Sequence, residues 1–342
     1  MTPSRRLALV LVGLACAGCG REHAKPGAEE TVLAKTPAIN PPDSSAPTPS
    51  AVNTPEPLDA AFTDAASATA GEPPDPSALY SHARVLGGKS IGHTSVVFKL
   101  SLEGGVSAAY KPRSTRGDAR YRGEIAAYRL ARALSLGNVP PAYPRAFPYA
   151  DLRLALGRET VFPEVVKEPN EEVRGAILPW IKGLEFIPLE SDEWMGRWRG
   201  WLRSGGALPD DQRALAAQIS TLLALDVVIG NWDRWSGGNI GIDRARGELL
   251  YVDNDGAFFD PVPRKEFAWP TTLFEGVDRF SRSFVTALRA LDVRAAAGEE
   301  TPGEPLLSAR VLEQTEARRK RVIGVIDAKI KRFGEKAVLF FN

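Results

Sequence analysis

The chain has 342 residues, 44% of them hydrophobic and 25% charged, which is enough for one large domain or two lobes with a sizeable core. Its 43 Lys and Arg against 42 Asp and Glu leave a formal net charge of +1, which argues against a general nucleic-acid binder, whose phosphate contacts need a basic excess. The three His (His23, His82, His93) and the two Cys (Cys16, Cys19) argue against a zinc cluster, a late Ser-His-Asp triad and any disulfide framework in a mature domain.

Residues 1–19 read as a lipoprotein-type signal peptide. Arg5 and Arg6 form a short basic region, and Leu7 to Ala15 is an apolar run too short to span a bilayer comfortably. Ala17 and Gly18 precede Cys19, which resembles the bacterial lipoprotein site where the Cys is lipidated and becomes the new N-terminus. Cys16 stands three before it, where Leu is usual, and a plain cleaved signal is the alternative. Gly20 fits outer-membrane sorting in bacteria that use that code. The expected location is therefore outside the cytoplasm: a bacterial lipoprotein of the outer membrane, held through Cys19 and facing the periplasm or the cell surface.

Residues 20–78 hold eleven of the 27 Pro and a single aromatic, Phe62, and read as a disordered Pro/Ala-rich linker. The folded part is expected from Leu79, as a β-rich lobe over 79–182 and a helical lobe over 183–342. Thr94 to Leu100 is strand-like, Glu103-Gly104-Gly105 signals a hairpin turn, and Val106 to Lys111 reads as a second strand. Arg120 to Leu136 has apolar residues near a helical period and is stopped by Gly137-Asn138. Gly175 to Ile181 reads as a short strand with Pro179 inside, which suits an edge or lobe-joining position. Asp210 to Val228 reads as a long apolar helix, Glu248 to Val252 as a strand, and Thr272 to Leu291 and Leu306 to Phe333 as amphipathic helices. Strands first and helices later describe an α+β protein with two lobes.

Four segments carry chemistry. After the helix ending at Gly230-Asn231, a polar loop holds Asp233, Arg234 and Asn239, and the next strand delivers Asp253 at its end. Carboxylate and amide oxygens are hard ligands for Mg²⁺ or Mn²⁺, and a further acid in such a loop can take a proton from an attacking hydroxyl. Asp and Asn also build ordinary turns. Lys111 ends an apolar strand, where an ammonium needs a partner or an anionic ligand. Glu124 stands beside Ile125, Ala126 and Ala127, an odd place for a purely solvated acid, and can pair with Lys111. Gly87, Gly88 and Gly92 lie in a Gly-rich stretch whose backbone N–H groups can approach phosphates, although a plain hairpin explains it equally well.

The order of these parts is that of a protein kinase. The segments KPRSTR, GEIAAYRLARAL, NVPP, DVVIGNWDR and VDNDGAF resemble the secretory-pathway kinases of the Golgi casein kinase and Four-jointed group, over about Val85 to Phe259. HipA-type and phosphatidylinositol kinases share shorter elements. The resemblance implies a bilobal atypical kinase fold that binds ATP with Mg²⁺ or Mn²⁺ and phosphorylates Ser or Thr of a protein. It makes Lys111 the phosphate-positioning lysine, Glu124 its helix partner, Asp233 the catalytic Asp, and Asp253 and Asn239 the metal ligands. Asn239 follows Asp233 by six residues instead of five, so the loop must bulge, which Ser236-Gly237-Gly238 permits. The strand-end motif reads Asp253-Asn254-Asp255-Gly256 and supplies Asp255 as a second acid. Arg234 is expected to pair with nearby acids and fix the loop, and Trp232 and Trp235 are expected in the core. Three alternatives stay open: a kinase-shaped nucleotide-binding module without turnover, a kinase-fold enzyme that acts on a lipid or sugar or transfers a nucleotidyl group, and a passive surface lipoprotein.

Overall fold

The structure, a computed structural model, describes residues 76–92 and 94–342. The expected signal peptide, the lipidation site at Cys19 and almost all of the expected linker lie outside the described residues. Helix α1 (Pro76–His82) leads into strands β1 (Val85–Ser90), β2 (Phe98–Leu102) and β3 (Ser107–Pro112). Helix α2 (Arg120–Ala133), strand β4 (Tyr143–Pro148), helix α3 (Tyr149–Leu156) and strand β5 (Glu172–Pro179) follow. The five strands form one antiparallel sheet in the order β1-β2-β3-β5-β4.

The rest is mainly helical: β6 (Glu185–Phe186), α4 (Asp192–Trp201), α5 (Arg213–Ile229), β7 (Ile240–Asp243), β8 (Glu248–Tyr251), α6 (Arg264–Glu275), α7 (Arg282–Ala290), α8 (Val293–Ala297), β9 (Glu299–Thr301), β10 (Glu304–Pro305), α9 (Ala309–Phe333) and α10 (Glu335–Val338). Strands β6, β7 and β8 form a small sheet that carries the polar loop after α5. This is the expected α+β division into a sheet-rich first part and a helical second part.

Local chemistry explains the main elements. Phe98, Leu100 and Leu102 of β2 and Ala108 and Tyr110 of β3 alternate into a buried core beneath the sheet. Gly104 (φ 80°) and Gly105 (φ 74°) make the turn between those strands. A second core forms around α5, whose residues from Ile219 to Ile229 are all buried. Helix α2 belongs to that second core: Tyr121, Ile125, Ala126, Leu130 and Ala131 pack with the helical part of the chain.

Three expectations need correction. Of the two positions expected for β5, the edge is wrong, since it lies between β3 and β4, and the lobe-joining one holds, since its end leads into β6 of the helical part. Pro179 is tolerated because it is the last strand residue, and Trp180 makes the next hydrogen bond, to the Ser107 carbonyl at 3.1 Å. Helix α2 stops at Ala133, before Gly137-Asn138, because Ser135 takes the left-handed conformation (φ 58°) that glycine usually supplies. Leu136 N–H then reaches the Ala131 carbonyl at 2.8 Å and Ser135 N–H the Arg132 carbonyl at 3.0 Å, closing a Schellman cap. The single helix expected over Thr272 to Leu291 is two, α6 and α7. The break at Gly276 to Ser281 is pinned by the Asp278 N–H on the Leu202 carbonyl at 2.7 Å, and Ser281 caps α7 on Phe284 N–H at 3.3 Å.

Candidate active site

Lys111 is the next-to-last residue of β3. Strand alternation sends it to the face opposite Tyr110, whose hydroxyl is fixed inside the sheet core on the Val173 carbonyl at 2.8 Å. Lys111 and Ala109 face a cavity of about 560 Å³, covered by the β1–β2 turn and walled by Leu178, Trp180 and Phe186. The lysine is 7% exposed. Its Nζ lies 2.5 Å from Glu124 Oε1, 2.6 Å from Asp253 Oδ1 and 3.4 Å from Asp255 Oδ2.

Each carboxylate arrives by a definite route. Glu124 sits on α2 and also accepts the Asn254 N–H at 2.9 Å. Gly123 makes that approach possible, because a Cβ there would stand 2.8 Å from the Asn254 carbonyl oxygen and 3.2 Å from that of Ala257. Asp253 follows β8 with φ 58°, a left-handed conformation that Asp tolerates better than most residues, and its side chain is 41% exposed at the cavity. Asp255 is buried and shared with Arg120 Nη1 at 3.0 Å. Arg120 lies four residues, about one helical turn, before Glu124.

The charges respond to one another. Burial alone would lower the Lys111 pKa, but Glu124, Asp253 and Asp255 outweigh it and hold the ammonium well above the usual lysine range. Burial also opposes the charge on Asp253, yet Lys111 holds that carboxyl below its ordinary value. Burial raises Glu124, helped by Asp253 and Asp255 and opposed by Lys111.

The loop after α5 forms the other side of the site. Gly230 (φ 69°) ends the helix, and Asn231 Oδ1 accepts the Asp233 N–H at 3.1 Å. Arg234 is fully buried and ties the loop together. It donates to Asp226 Oδ1 at 3.2 Å, the Asn239 carbonyl at 2.8 Å, Asn254 Oδ1 at 2.5 Å and the Val252 carbonyl. This matches the structural part expected of Arg234. Burial pushes the Asp226 carboxyl up to about 6 against the pull of Arg234. The extra residue before Asn239 is absorbed by left-handed Gly237 (φ 104°) and Gly238 (φ 74°). Asn239 is buried, and its amide donates to the Asp233 carbonyl at 2.9 Å.

Asp233 is half-buried. Burial raises its pKa, with the Asp253 and Asp255 charges adding to the rise and Ser236 and Arg120 opposing it. Gly256 leaves its side chain room, since a Cβ there would fall 2.8 Å from Asp233 Cβ and 3.0 Å from Asn231 Oδ1. Gly256→Ala should therefore displace Asp233 and Asn231 and cost about 1–3 kcal/mol of stability, which melting curves of the two proteins check. An unchanged melting temperature would contradict it.

Lys111, Glu124 and Asp253 thus converge on one cavity, with Asp233 and Asn239 on the adjoining loop. The three glycines do not share one loop. Gly87 and Gly88 pair with Ser101 and Leu100 inside β1, and only Gly92 lines the cavity. Gly88 has a packing reason, because a Cβ there would stand 2.6 Å from the Lys99 carbonyl oxygen. Trp235 is buried against Trp198 as expected, whereas Trp232 is only partly buried and meets Phe259 edge-on at 6.0 Å. The sequence reading assigns no role to Arg120, Gly123, Asn231 or Asn254. The one-turn spacing of Arg120 and Glu124 is the available signal for the first, and small Gly123 beside a buried acid for the second.

Among the described residues, no group of three or more His, Cys, Asp or Glu forms a self-sufficient metal site. Asp253 and Asn239 supply hard oxygen donors, a set suited to Mg²⁺ or Mn²⁺ when phosphate oxygens and water complete the shell.

Two solved structures of the Golgi casein kinase, one of them with Mn/ADP bound, resemble the chain. Each has a TM-score of 0.57 and 14% identity, covering 77% of this chain and 78% of that one. The structure of hydra Fam20 with sugar gives a TM-score of 0.55 and 17% identity over 76% of this chain and 90% of that one. The fold is that of an atypical kinase. No family model matches the chain, and no curated protein matches it significantly. In this atypical kinase fold the sheet supplies Lys111, α2 supplies Glu124, and the β7–β8 unit and its preceding loop supply Asp253, Asn239 and Asp233.

Proposed function

We propose that the chain is a metal-dependent phosphotransferase that moves the γ-phosphate of ATP to the hydroxyl of a protein Ser or Thr. The observation that carries this reading is the buried Lys111 held by Glu124 and Asp253 at the inner end of a largely apolar cavity. An apolar pocket of this size suits a purine, and the ammonium suits its phosphates. The Golgi casein kinase structure with Mn/ADP supports nucleotide and metal use.

In this mechanism Glu124 aligns Lys111, and Lys111 steadies the phosphates. Asp233 orients the acceptor hydroxyl and takes its proton as the new oxygen–phosphorus bond forms and the bond to ADP breaks. Its raised pKa moves it toward a useful base strength. Asp253 and Asn239 would hold Mg²⁺ or Mn²⁺, which neutralises phosphate charge when bound. The turn at Gly92 closes the cavity, its own N–H groups at Ile91 and Gly92 being used on the Val97 carbonyl at 2.9 and 3.3 Å. Arg234 keeps Asp233 and Asp253 in register through their neighbours. The reading includes export and a lipid anchor at Cys19, supported by the sequence of residues 1–19 alone.

A thermal-shift panel of ATP, ADP and GTP with Mg²⁺ or Mn²⁺, followed by product mass spectrometry, tests the proposal. A metal–nucleotide pair at a hundredfold excess over its Kd should raise the melting temperature by roughly 5 °C or more. The product should gain the mass of a phosphate. Absence of any shift would overturn nucleotide binding, and the mass of a nucleotidyl group would overturn phosphate transfer.

A further inference from the structure

Helix α2 is gripped by a short hairpin far along the chain. Helix α8 packs against α2, and Gly298 (φ 64°) then turns the chain into β9 and β10. Glu300 of β9 is 7% exposed, and both its carboxylate oxygens are used on α2. Oε1 accepts from the Tyr121 hydroxyl at 2.6 Å and Oε2 from Arg122 Nε at 2.7 Å. Arg122 Nη2 also reaches Glu304 at 3.3 Å, and Glu304 accepts from Arg174 of β5 at 2.7 Å. Further along α2, Arg129 Nη1 donates to the carbonyls of Ala297 at 2.8 Å and Glu299 at 2.7 Å. None of these residues lines the Lys111 cavity.

A carboxylate this deeply buried is costly unless its oxygens are paired. Here both partners stand on the helix that carries Glu124. Tyr121 and Glu124 are three residues apart and share one helical side. A roll of α2 that takes Glu124 off Lys111 must also pull Tyr121 and Arg122 off Glu300.

We propose that Glu300 is a positioning residue that fixes the rotation of α2 at which Glu124 meets Lys111. The proposal rests on the reading of Lys111 and Glu124 as the phosphate-positioning pair. The hairpin then does, with residues of the same chain, what a phosphorylated loop or a partner does where the helix is mobile. The pair stands ready without an activating event.

The test uses the full chain with Glu300→Ala and two readouts, amide hydrogen exchange over residues 120–133 without nucleotide and the affinity for Mn²⁺–ADP. Exchange in α2 should accelerate, and affinity should fall about tenfold. In a Glu124→Gln background, Glu300→Ala should change affinity less than about twofold, because the pair to be positioned is already gone. Equal losses in both backgrounds, or unchanged exchange in α2, would overturn the proposal. If Glu300→Ala does not fold, Glu300→Gln carries the same cycle, since it keeps an acceptor for Tyr121 and removes the charge facing Arg122. If the parent chain itself binds no Mn²⁺–ADP, the phosphotransferase reading fails, and the exchange readout alone still decides whether Glu300 holds α2.

Discussion

Asp233→Asn should lower phosphate transfer from ATP by about 10²–10⁴-fold and leave nucleotide binding intact. The substitution keeps the shape of the side chain and removes only its ability to take a proton. The loop should survive, because its main ties at this residue run through the backbone: Asp233 N–H to Asn231 Oδ1, and the Asp233 carbonyl to Ser236 and Asn239. Lys111, Glu124 and Asp253 keep their own contacts. Parent and variant should therefore show the same melting-temperature rise with Mn²⁺–ADP and differ only in turnover. Turnover within twofold of the parent would remove Asp233 from the chemistry.

Lys111→Met should have the largest combined effect, abolishing nucleotide binding and destabilising the chain by about 3–5 kcal/mol, the range for removing one partner of a buried ion pair. Glu124, Asp253 and Asp255 would then face one another, with Arg120 left on Asp255. The pH dependence should reverse as well. In the parent, Asp253 is held below its ordinary pKa, so its contribution is present above the unfolded carboxylate range and is lost as pH falls through the folded value. The raised Lys111 contributes below the unfolded lysine pKa and is lost only as pH climbs through its folded value. Without Lys111 the burial of Glu124 and Asp253 and their mutual repulsion favour protons in the folded state, so the variant should recover part of its deficit on acidification. Melting curves of both proteins from about pH 8 to about pH 5 check the sign. Deficits that stay constant across that range would count against the interaction of Glu124 with Asp253.

Much of this geometry could be read from short stretches of sequence. The β2–β3 hairpin, α2 and the loop from Asp226 to Asn239 carry alternation, helical period and turn residues within a few positions of one another. Lys111 and Glu124 stood out because charge in an apolar strand or helix face demands a partner. What escaped depends on distant context. Strand β4 contains Pro144 and Pro148 and is possible because it lies at a sheet edge. Ser135 ends α2 where glycine would have announced the stop. Arg234 finds its acceptors in Asp226, Asn239, Val252 and Asn254, a set that no local period predicts. Glu300 lies 179 residues from Tyr121, in a strand of three residues that is too short to leave a pattern.

The burial of α2 in the helical core bears on how the chain can be divided. A cut between Lys182 and Gly183 would follow the visible change from sheet to helices, yet it would strand Tyr121, Ile125 and Leu130 on a fragment without the surfaces that cover them. Neither half would be a self-sufficient folding unit, and the cluster of Lys111, Glu124 and Asp253 would be inherited only as a whole.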